Sequence, residues 1–377
     1  MSNTLRRLIL KNLAVFGFTP SLKSFAASTA PMAPPSPNFP AVLPRALVFP
    51  RDYGAHPEYR TEWWYMTGWL GEGQDAIGFQ VTFFRSRTRH PESNPSRFAP
   101  QQLLFAHAAL AIPGEGKLRH AELSGRVGPT GNTFSAIDTN LELSGWRLQR
   151  QANDIYTVEI AADTFILKIE ARPKSGPVLR GAGGVSSKGP AAQFASYYYS
   201  RPQLAISAQI TLKDESKGPR IFEQSINKTG LAWFDHEWSS SLMMPGAVGW
   251  DWIGINLLDG GSIMAFRMRD AAGNTLFSDW DRRDAGGKLI KNYRNASWNP
   301  IGKWRSNRSQ FTYPERIALR AENREWMLKP LMQDQEVDAR ASTGGYYYEG
   351  AVELLEQGKV VGRGYLELTG YGAPVTL

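Results

Sequence analysis

Thr61-Glu62-Trp63-Trp64-Tyr65-Met66-Thr67-Gly68-Trp69-Leu70 runs into Gly71-Glu72-Gly73-Gln74-Asp75 and then into a second apolar stretch, 76–85. The flanking segments are rich in aromatic and β-branched residues, and the five residues between them are turn formers. The pattern predicts a β-hairpin of 62–70 with 76–85. Strand alternation puts Glu62, Trp64 and Met66 on one face and Trp63, Tyr65 and Thr67 on the other. Both faces are aromatic, which fits a strand with a barrel interior on one side and a second packed layer on the other.

Short strand-like runs continue outward from this hairpin, at 103–112, 133–137, 141–149, 156–160 and 165–171, separated by Gly, Asn and Asp. Residues 172–192, rich in Gly, Pro, Lys and Ser, read as a long polar loop of the kind that serves as a lid or binding loop. Strands resume at 196–199 and 203–213, then at 249–257, 262–269, 274–280, 316–321, 326–330, 346–355 and 364–368. No long amphipathic helix interrupts them, so the expected class is all-β, sandwich or barrel. A length of 377 residues makes two domains the default. A weak echo supports duplication. Tyr197-Tyr198-Tyr199-Ser200 precedes a hairpin ending in Gly230-Leu231-Ala232-Trp233-Phe234-Asp235, and Tyr346-Tyr347-Tyr348-Glu349 precedes one ending in Gly364-Tyr365-Leu366-Glu367.

Half of the formal charge of +8 lies in residues 1–26, which hold Arg6, Arg7, Lys11 and Lys23 and no acid. The rest is spread without a basic stripe, so nucleic-acid binding is not expected. Arg6-Arg7-Leu8-Ile9-Leu10-Lys11, a short apolar stretch and Ser24-Phe25-Ala26 together resemble a twin-arginine export signal cleaved after Ala26. Seven prolines between 31 and 50 read as an extended tether. The expected organisation is a signal peptide at 1–26, a linker at 27–45 and domains at 46–236 and 237–377, in a periplasmic or secreted protein. No stretch reaches about 18 consecutive apolar residues, so no membrane-spanning helix is expected. The chain has no cysteine, which excludes disulfides, thiolate nucleophiles and cysteine-based metal sites.

Several motifs then fall in a recognisable order: Gly54-Ala55-His56-Pro57, the 61–68 strand, Phe105-Ala106-His107, Gly181 to Lys188, Ser196 to Ser200, Ala232 to Trp238, Gln335-Glu336, Tyr348-Glu349-Gly350 and Gly364 to Tyr371. In order and spacing over residues 50–377 they resemble the AttH-like family, related to carotenoid 1,2-hydratases. The resemblance implies two tandem lipocalin-like (calycin-type) antiparallel β-barrels, an apolar lipid- or isoprenoid-like ligand, frequent export and frequent association with an ABC transporter. No cofactor is expected, and the chemistry stays open between binding alone and hydratase, lyase or hydrolase action on that ligand, with a non-catalytic accessory protein of an ABC exporter or envelope complex as the alternative.

The densest titratable cluster is Asp235-His236-Glu237, set between Trp233-Phe234 and Trp238. In a functional reading Asp235 or Glu237 is a general acid raised by an apolar cavity, with His236 as its partner or a proton shuttle; in the alternative reading the segment is a hinge between barrels whose polar groups bond loop backbone. Alternation nevertheless divides the segment into Trp233, Asp235, Glu237 and Phe234, His236, Trp238. Ligand-facing candidates are Glu62, Trp64, Tyr65, His107, Tyr198, Trp238, Trp252, Tyr348 and Glu349. Glu62 sits either at a barrel rim or inside against an Arg or His. His107 on its apolar strand suits a hydrogen-bonded core residue, and with His236 it makes only two plausible imidazoles, so no transition-metal site is expected, while an oxygen-rich site stays open. There is no Gly-x-Ser-x-Gly elbow and no phosphate-cradling glycine loop. The related hydratases carry His-x-Trp followed on a later strand by Tyr and Asp. His236-Glu237-Trp238 matches the first unit, but Ile263-Met264-Ala265-Phe266-Arg267 has neither Tyr nor Asp.

Overall fold

The computed structural model describes residues 38–375 apart from 97, 129–130 and 214–221. The export signal at 1–26 and the linker up to residue 37 lie outside the described residues. Among the described residues there is no α-helix, only strands and three single 3₁₀ turns.

The first sheet contains β1 (Thr61–Leu70), β2 (Ile77–Arg87), β3 (Gln102–Ala111), β4 (Leu118–Arg126), β5 (Thr133–Phe134), β6 (Asn140–Leu143), β7 (Trp146–Arg150), β8 (Tyr156–Ala161) and β9 (Phe165–Arg172). It is completed by β10 (Val178–Leu179), β11 (Val185–Ser187), β12 (Ala195–Lys213) and β13 (Phe222–Ser241). Its order is β4-β3-β2-β1-β13-β12-β9-β8-β7-β6-β5, with β10 and β11 added on β12. The second sheet begins with β14 (Gly249–Leu257), β15 (Ser262–Arg269), β16 (Thr275–Arg283), β17 (Leu289–Tyr293) and β18 (Ser297–Ile301). After a small ladder of β19 (Trp304–Arg305) and β20 (Thr312–Tyr313) come β21 (Arg316–Ala321), β22 (Arg324–Pro330), β23 (Glu336–Ala339), β24 (Gly345–Glu356) and β25 (Lys359–Leu368). Their order is β17-β16-β15-β14-β25-β24-β22-β21-β18, with β23 on β24.

The expected hairpin forms, with Glu62 opposite Arg85 and Leu70 opposite Ile77. The repeat inferred from the tyrosine runs reappears as topology. Each sheet contains the same quartet, β2-β1-β13-β12 in one and β15-β14-β25-β24 in the other, in which the first strand pairs antiparallel with the last. The first sheet curls until β4 meets β6, where a Cβ at Gly125 would stand 3.0 Å from Leu143.

Burial pattern tells which strands face what. In β9, Phe165, Leu167, Ile169 and Ala171 are buried while Lys168, Glu170 and Arg172 are exposed, the signature of a wall with one solvated face. In β15 every residue is buried, and in β1 nearly every one. The quartet strands are therefore covered on both sides: their inner faces line one core per sheet, and their outer faces meet in a third apolar cluster that contains Tyr65, Trp69, Tyr198, Trp233, Trp252, Met264, Phe266 and Tyr365. Glycine allows the close approach. A Cβ at Gly78 would be 2.5 Å from that of Ala351, and one at Gly254 would be 2.5 Å from the Trp252 ring and 2.9 Å from that of Trp233.

Some boundaries differ from expectation. The division at 236/237 falls inside β13, which continues through a serine run to Ser241, and the change of sheet comes between Ser241 and Gly249. The separate strands at 196–199 and 203–213 are one strand, β12. Pro202 cannot donate to the ladder, so the register shifts between Arg201 and Leu204 and Gln203 adopts φ 58°. Gln203 then clamps the sheets, its N–H donating to Asn256 Oδ1 at 2.8 Å and its side chain to the Leu257 and Gly261 carbonyls. The segment 172–192 is not a free loop, since β10 and β11 bind it to β12. Residues 38–45 dock on the first barrel, with Val42 in its core and both backbone polar groups of Leu43 bonded to the Tyr197 hydroxyl.

Candidate functional site

The alternation of β13 sends its chemistry in two directions. Phe234, His236 and Trp238 enter the first barrel, whereas Trp233, Asp235 and Glu237 face the second sheet. The three residues read as one catalytic cluster therefore form no single site.

Inside the barrel, Glu62 takes the second of its two expected positions, fully enclosed with its charge paired. Its Oε2 accepts from Arg85 Nε at 2.8 Å, and its Oε1 meets His56 Nδ1 and His236 Nε2, each at 2.8 Å. His56 Nε2 reaches Asp52 Oδ1 at 3.0 Å, and the His236 Nδ1 edge faces the Tyr199 hydroxyl at 3.2 Å. The rings are fixed by stacking, His56 on Trp238 at 3.7 Å and His236 on Trp64 at 4.7 Å. Burial alone would raise the Glu62 carboxyl, but Arg85, His56 and His236 together hold it well below its ordinary value. Burial alone would lower His56, but Glu62 and Asp52 raise it. His236, by contrast, is lowered by burial to about 4 despite Glu62. A neutral His236 donates from Nε2 to Glu62 and accepts from Tyr199 on Nδ1. The ligand atoms of His56, Glu62 and His236 lie within 4.8 Å of one another, the spacing of a metal site. A cation there would have to displace the imidazole hydrogens from Glu62 Oε1 with the Arg85 guanidinium 2.8 Å from the same carboxylate. The charges present thus fit proton-sharing better than a cation.

The layer between the sheets has a different character. Asp235 Oδ2 accepts from the Tyr198 hydroxyl at 2.7 Å, and Oδ1 accepts from Trp233 Nε1 at 2.7 Å and Ser200 Oγ at 2.5 Å. Tyr198 in turn accepts from Trp252 Nε1 of the second sheet at 3.3 Å, and Ser200 accepts from Arg180 Nε at 2.8 Å. Trp252 packs edge-on to both Trp233 and Tyr65. Burial raises Asp235 to about 6, against the opposing pull of Ser200, Arg180, Tyr198 and Trp233. Glu237 is 2.9 Å from Lys188 Nζ and accepts from Ser196. Lys188 lies over the Tyr198 and Phe266 rings, so Glu237 belongs to a closed ion pair.

Two more acids complete the layer. Glu349 of β24 stands opposite Glu367 of β25, and the Tyr65 hydroxyl donates across the sheets to Glu349 Oε2 at 2.7 Å. Burial and the neighbouring Glu367 push Glu349 well above its ordinary value. Burial raises Glu367, which retains partial exposure, to about 7. Along the rim lie partly exposed Met243, Met244, Trp250 and Phe277, with the two methionines in the segment that joins the sheets. A groove of about 530 Å³ on the outer face of β8, β9, β12 and β13 shares none of these residues.

These acids give stability an unusual pH dependence. Each carboxyl raised above its unfolded value binds more protons in the folded state, so stability falls as pH rises towards the folded value. Buried neutral His107 and His236 oppose this only below about pH 6.5, where an unfolded imidazole charges. The raised His56 adds to the same fall, so Tm should decline as pH rises above about 6.5, and Glu349→Gln should flatten the decline in scanning calorimetry. An unchanged slope in the variant would remove Glu349 as its source.

Other candidates are distributed as follows. Trp64 and Trp238 line the first barrel core, while Tyr65, Tyr198, Trp252 and Glu349 share the layer with Asp235. Tyr348 faces the second core, bonded to Gln335, and its neighbour Tyr347 takes the outward place. Tyr347 there meets His107 Nδ1 at 2.6 Å, while Ser342 bonds its Nε2. Both His107 nitrogens are thus occupied at the seam between the sheets. The strand directly after β13 is β14, not β15, and it does carry an aspartate. Asp251 is nevertheless taken by Arg267 and Arg269, each at 2.7 Å. Sequence reasoning named three contributors in no site role: His56 and Lys188, although both lie in motifs that carry the family resemblance, and Arg180, directly ahead of one.

The AttH-like family profile matches residues 40–371. This chain belongs to the AttH-like family. An AttH-like protein of Nitrosomonas europaea, known from its crystal structure, is 41% identical, with a TM-score of 0.80 over 89% of this chain and 100% of that one. Kievitone hydratase from Nectria haematococca superposes with a TM-score of 0.61 over 90% of this AttH-like chain and 98% of its own, at 14% identity, a likeness of fold. No curated protein matches the sequence.

Proposed function

We propose that this AttH-like protein holds a small, largely apolar unsaturated molecule between its two sheets and uses Asp235 as a general acid in hydratase-type chemistry. The observation that carries this reading is a buried carboxyl poised at about 6, set among Trp233, Trp252 and Tyr198 and bonded into both sheets. An acid in this setting can give its proton to an alkene carbon. The resulting cation faces indole rings, each worth roughly 0.5–2 kcal/mol, and water then adds at carbon and returns a proton to the carboxylate. Alkene and water are consumed and an alcohol is formed. Methionines at the rim provide an adaptable way in. The fold shared with kievitone hydratase supports the same class of reaction.

The test is to incubate the purified protein with prenylated aromatic alkenes in ¹⁸O-labelled water and follow the alcohol by mass spectrometry. Labelled product whose rate falls as pH rises past about 6 is expected. Tight binding of the alkene with no product would instead favour an accessory binding role, such as partnership with an exporter.

We also propose action outside the cytoplasm, on the strength of Arg6-Arg7 and Ser24-Phe25-Ala26. Replacing both arginines by lysine should leave full-length precursor in the cytoplasmic fraction. An undiminished periplasmic yield would overturn the assignment.

A further inference from the structure

Arg180 is completely buried, yet most of its hydrogen-bonding capacity is idle. Its Nε donates to Ser200 Oγ at 2.8 Å, and its Cζ lies 5.0 Å from the Trp233 ring centre. Both terminal nitrogens, Nη1 and Nη2, are buried without a hydrogen-bond acceptor. Asp281 Oδ1 lies 3.0 Å from Nη1, outside hydrogen-bond alignment. That carboxylate is already committed: Arg283 donates to its two oxygens from Nε and Nη2, each at 2.8 Å. Two guanidinium groups thus share one aspartate, and Arg283 holds the aligned bonds.

Leaving guanidinium donors unmet in a buried layer is expensive, because hydrogen bonds to charged groups are among the stronger ones. Donors left open in this way can take an acceptor from outside the chain. The orphaned fork belongs to the same hydrogen-bonded chain as the proposed acid, two links away through Ser200. It comes from the 172–192 segment, which pairing with β12 holds against the layer.

We propose that Arg180 Nη1 and Nη2 receive an anionic oxygen of the molecule presented to Asp235. This rests on the reading of the layer as the functional site and deepens it by naming the substrate class. The ligand is an unsaturated apolar body that bears a carboxylate, enolate or phenolate-type oxygen, rather than a plain hydrocarbon. Guanidinium suits such a planar, charge-bearing oxygen group because its donors are fixed in a fork. Arg180 is a specificity-determining residue in this scheme and transfers no proton.

The experiment uses the full chain and two probes, geranic acid and its methyl ester, titrated by quenching of tryptophan fluorescence. The wild-type protein should bind the acid about tenfold to hundredfold more tightly than the ester, the range of a charge-assisted bond. Arg180→Gln should erase that preference by weakening the acid alone, and Arg180→Lys should restore part of it. Asp235→Asn should keep the preference. Equal binding of acid and ester by the wild type overturns the proposal, as does a preference that survives in Arg180→Gln. Should Arg180→Gln fail to fold, the wild-type ratio and the Arg180→Lys ratio decide. Failure of the site reading looks different: a preference that survives bulky substitution at Gly254, which would crowd Trp233 and Trp252, would place the bound acid elsewhere.

Discussion

Replacing Arg85 by methionine should lower the unfolding free energy by about 3–5 kcal/mol, the range found when one member of a buried ion pair is removed. Arg85 is buried and donates from all three of its nitrogens: Nε to Glu62, Nη1 to Gln102, and Nη2 to the carbonyls of His56 and Tyr59. Its loss would leave the Glu62 carboxylate balanced only by His56 and would remove the Arg85 donor from the Tyr59 carbonyl, while the His56 carbonyl keeps the Tyr59 N–H. The combination Arg85→Met with Glu62→Gln should recover part of the loss, because the uncompensated charge is then gone. Urea unfolding monitored by circular dichroism measures both effects. A loss below about 1 kcal/mol in the single variant, the value of an exposed pair, would show that the network is not needed to hold the barrel together.

Much of this architecture was legible beforehand. The hairpin around Gly71–Asp75 and the all-strand pattern follow from period-two alternation, and the tyrosine-run echo from a repeated motif, both of which sequence displays directly. Alternation also separated Asp235 from His236 before any coordinates. What it could not say is which face of β13 looks into the barrel, since both faces are aromatic and either could be the core. The same ambiguity makes Tyr348 rather than Tyr347 a ligand-facing candidate in sequence, whereas Tyr347 is the one at the seam. Glu349, a candidate as well, does lie between the sheets, because it shares Tyr347's face. The boundary error at 236/237 has a related cause, since a serine run continues a ladder as well as it ends one. His56, Arg180 and Lys188 escaped because their positions depend on tertiary docking of turn segments, for which there is no local period to read.

Asp235→Asn should lower turnover of a hydratable alkene by about two to four orders of magnitude, the usual share of a positioned general acid, while leaving fold and binding intact. The amide fits the site in one orientation. Trp233 Nε1 can only donate, so the amide oxygen must take the Oδ1 place, where Ser200 also donates. The NH₂ group then faces the Tyr198 hydroxyl, which can turn to accept it while still accepting from Trp252. The Tyr198 O–H and the second amide N–H then lack an acceptor, a cost set against removal of a buried charge, and the fold should survive. Stability supplies a second readout with a definite sign. Because burial raises Asp235 to about 6, ionising it in the folded state opposes folding, so the neutral variant should melt at an equal or higher temperature than the wild type above that pH. A purely structural aspartate would behave in the opposite way, with Tm falling on substitution and turnover following it down. The rate profile should change too: the decline of the wild-type rate past about pH 6 should be missing from the residual activity of the variant. Undiminished turnover in Asp235→Asn, or an unchanged pH profile, would move the chemistry away from this carboxyl. The partly exposed, raised Glu367 would then be the next acid to replace.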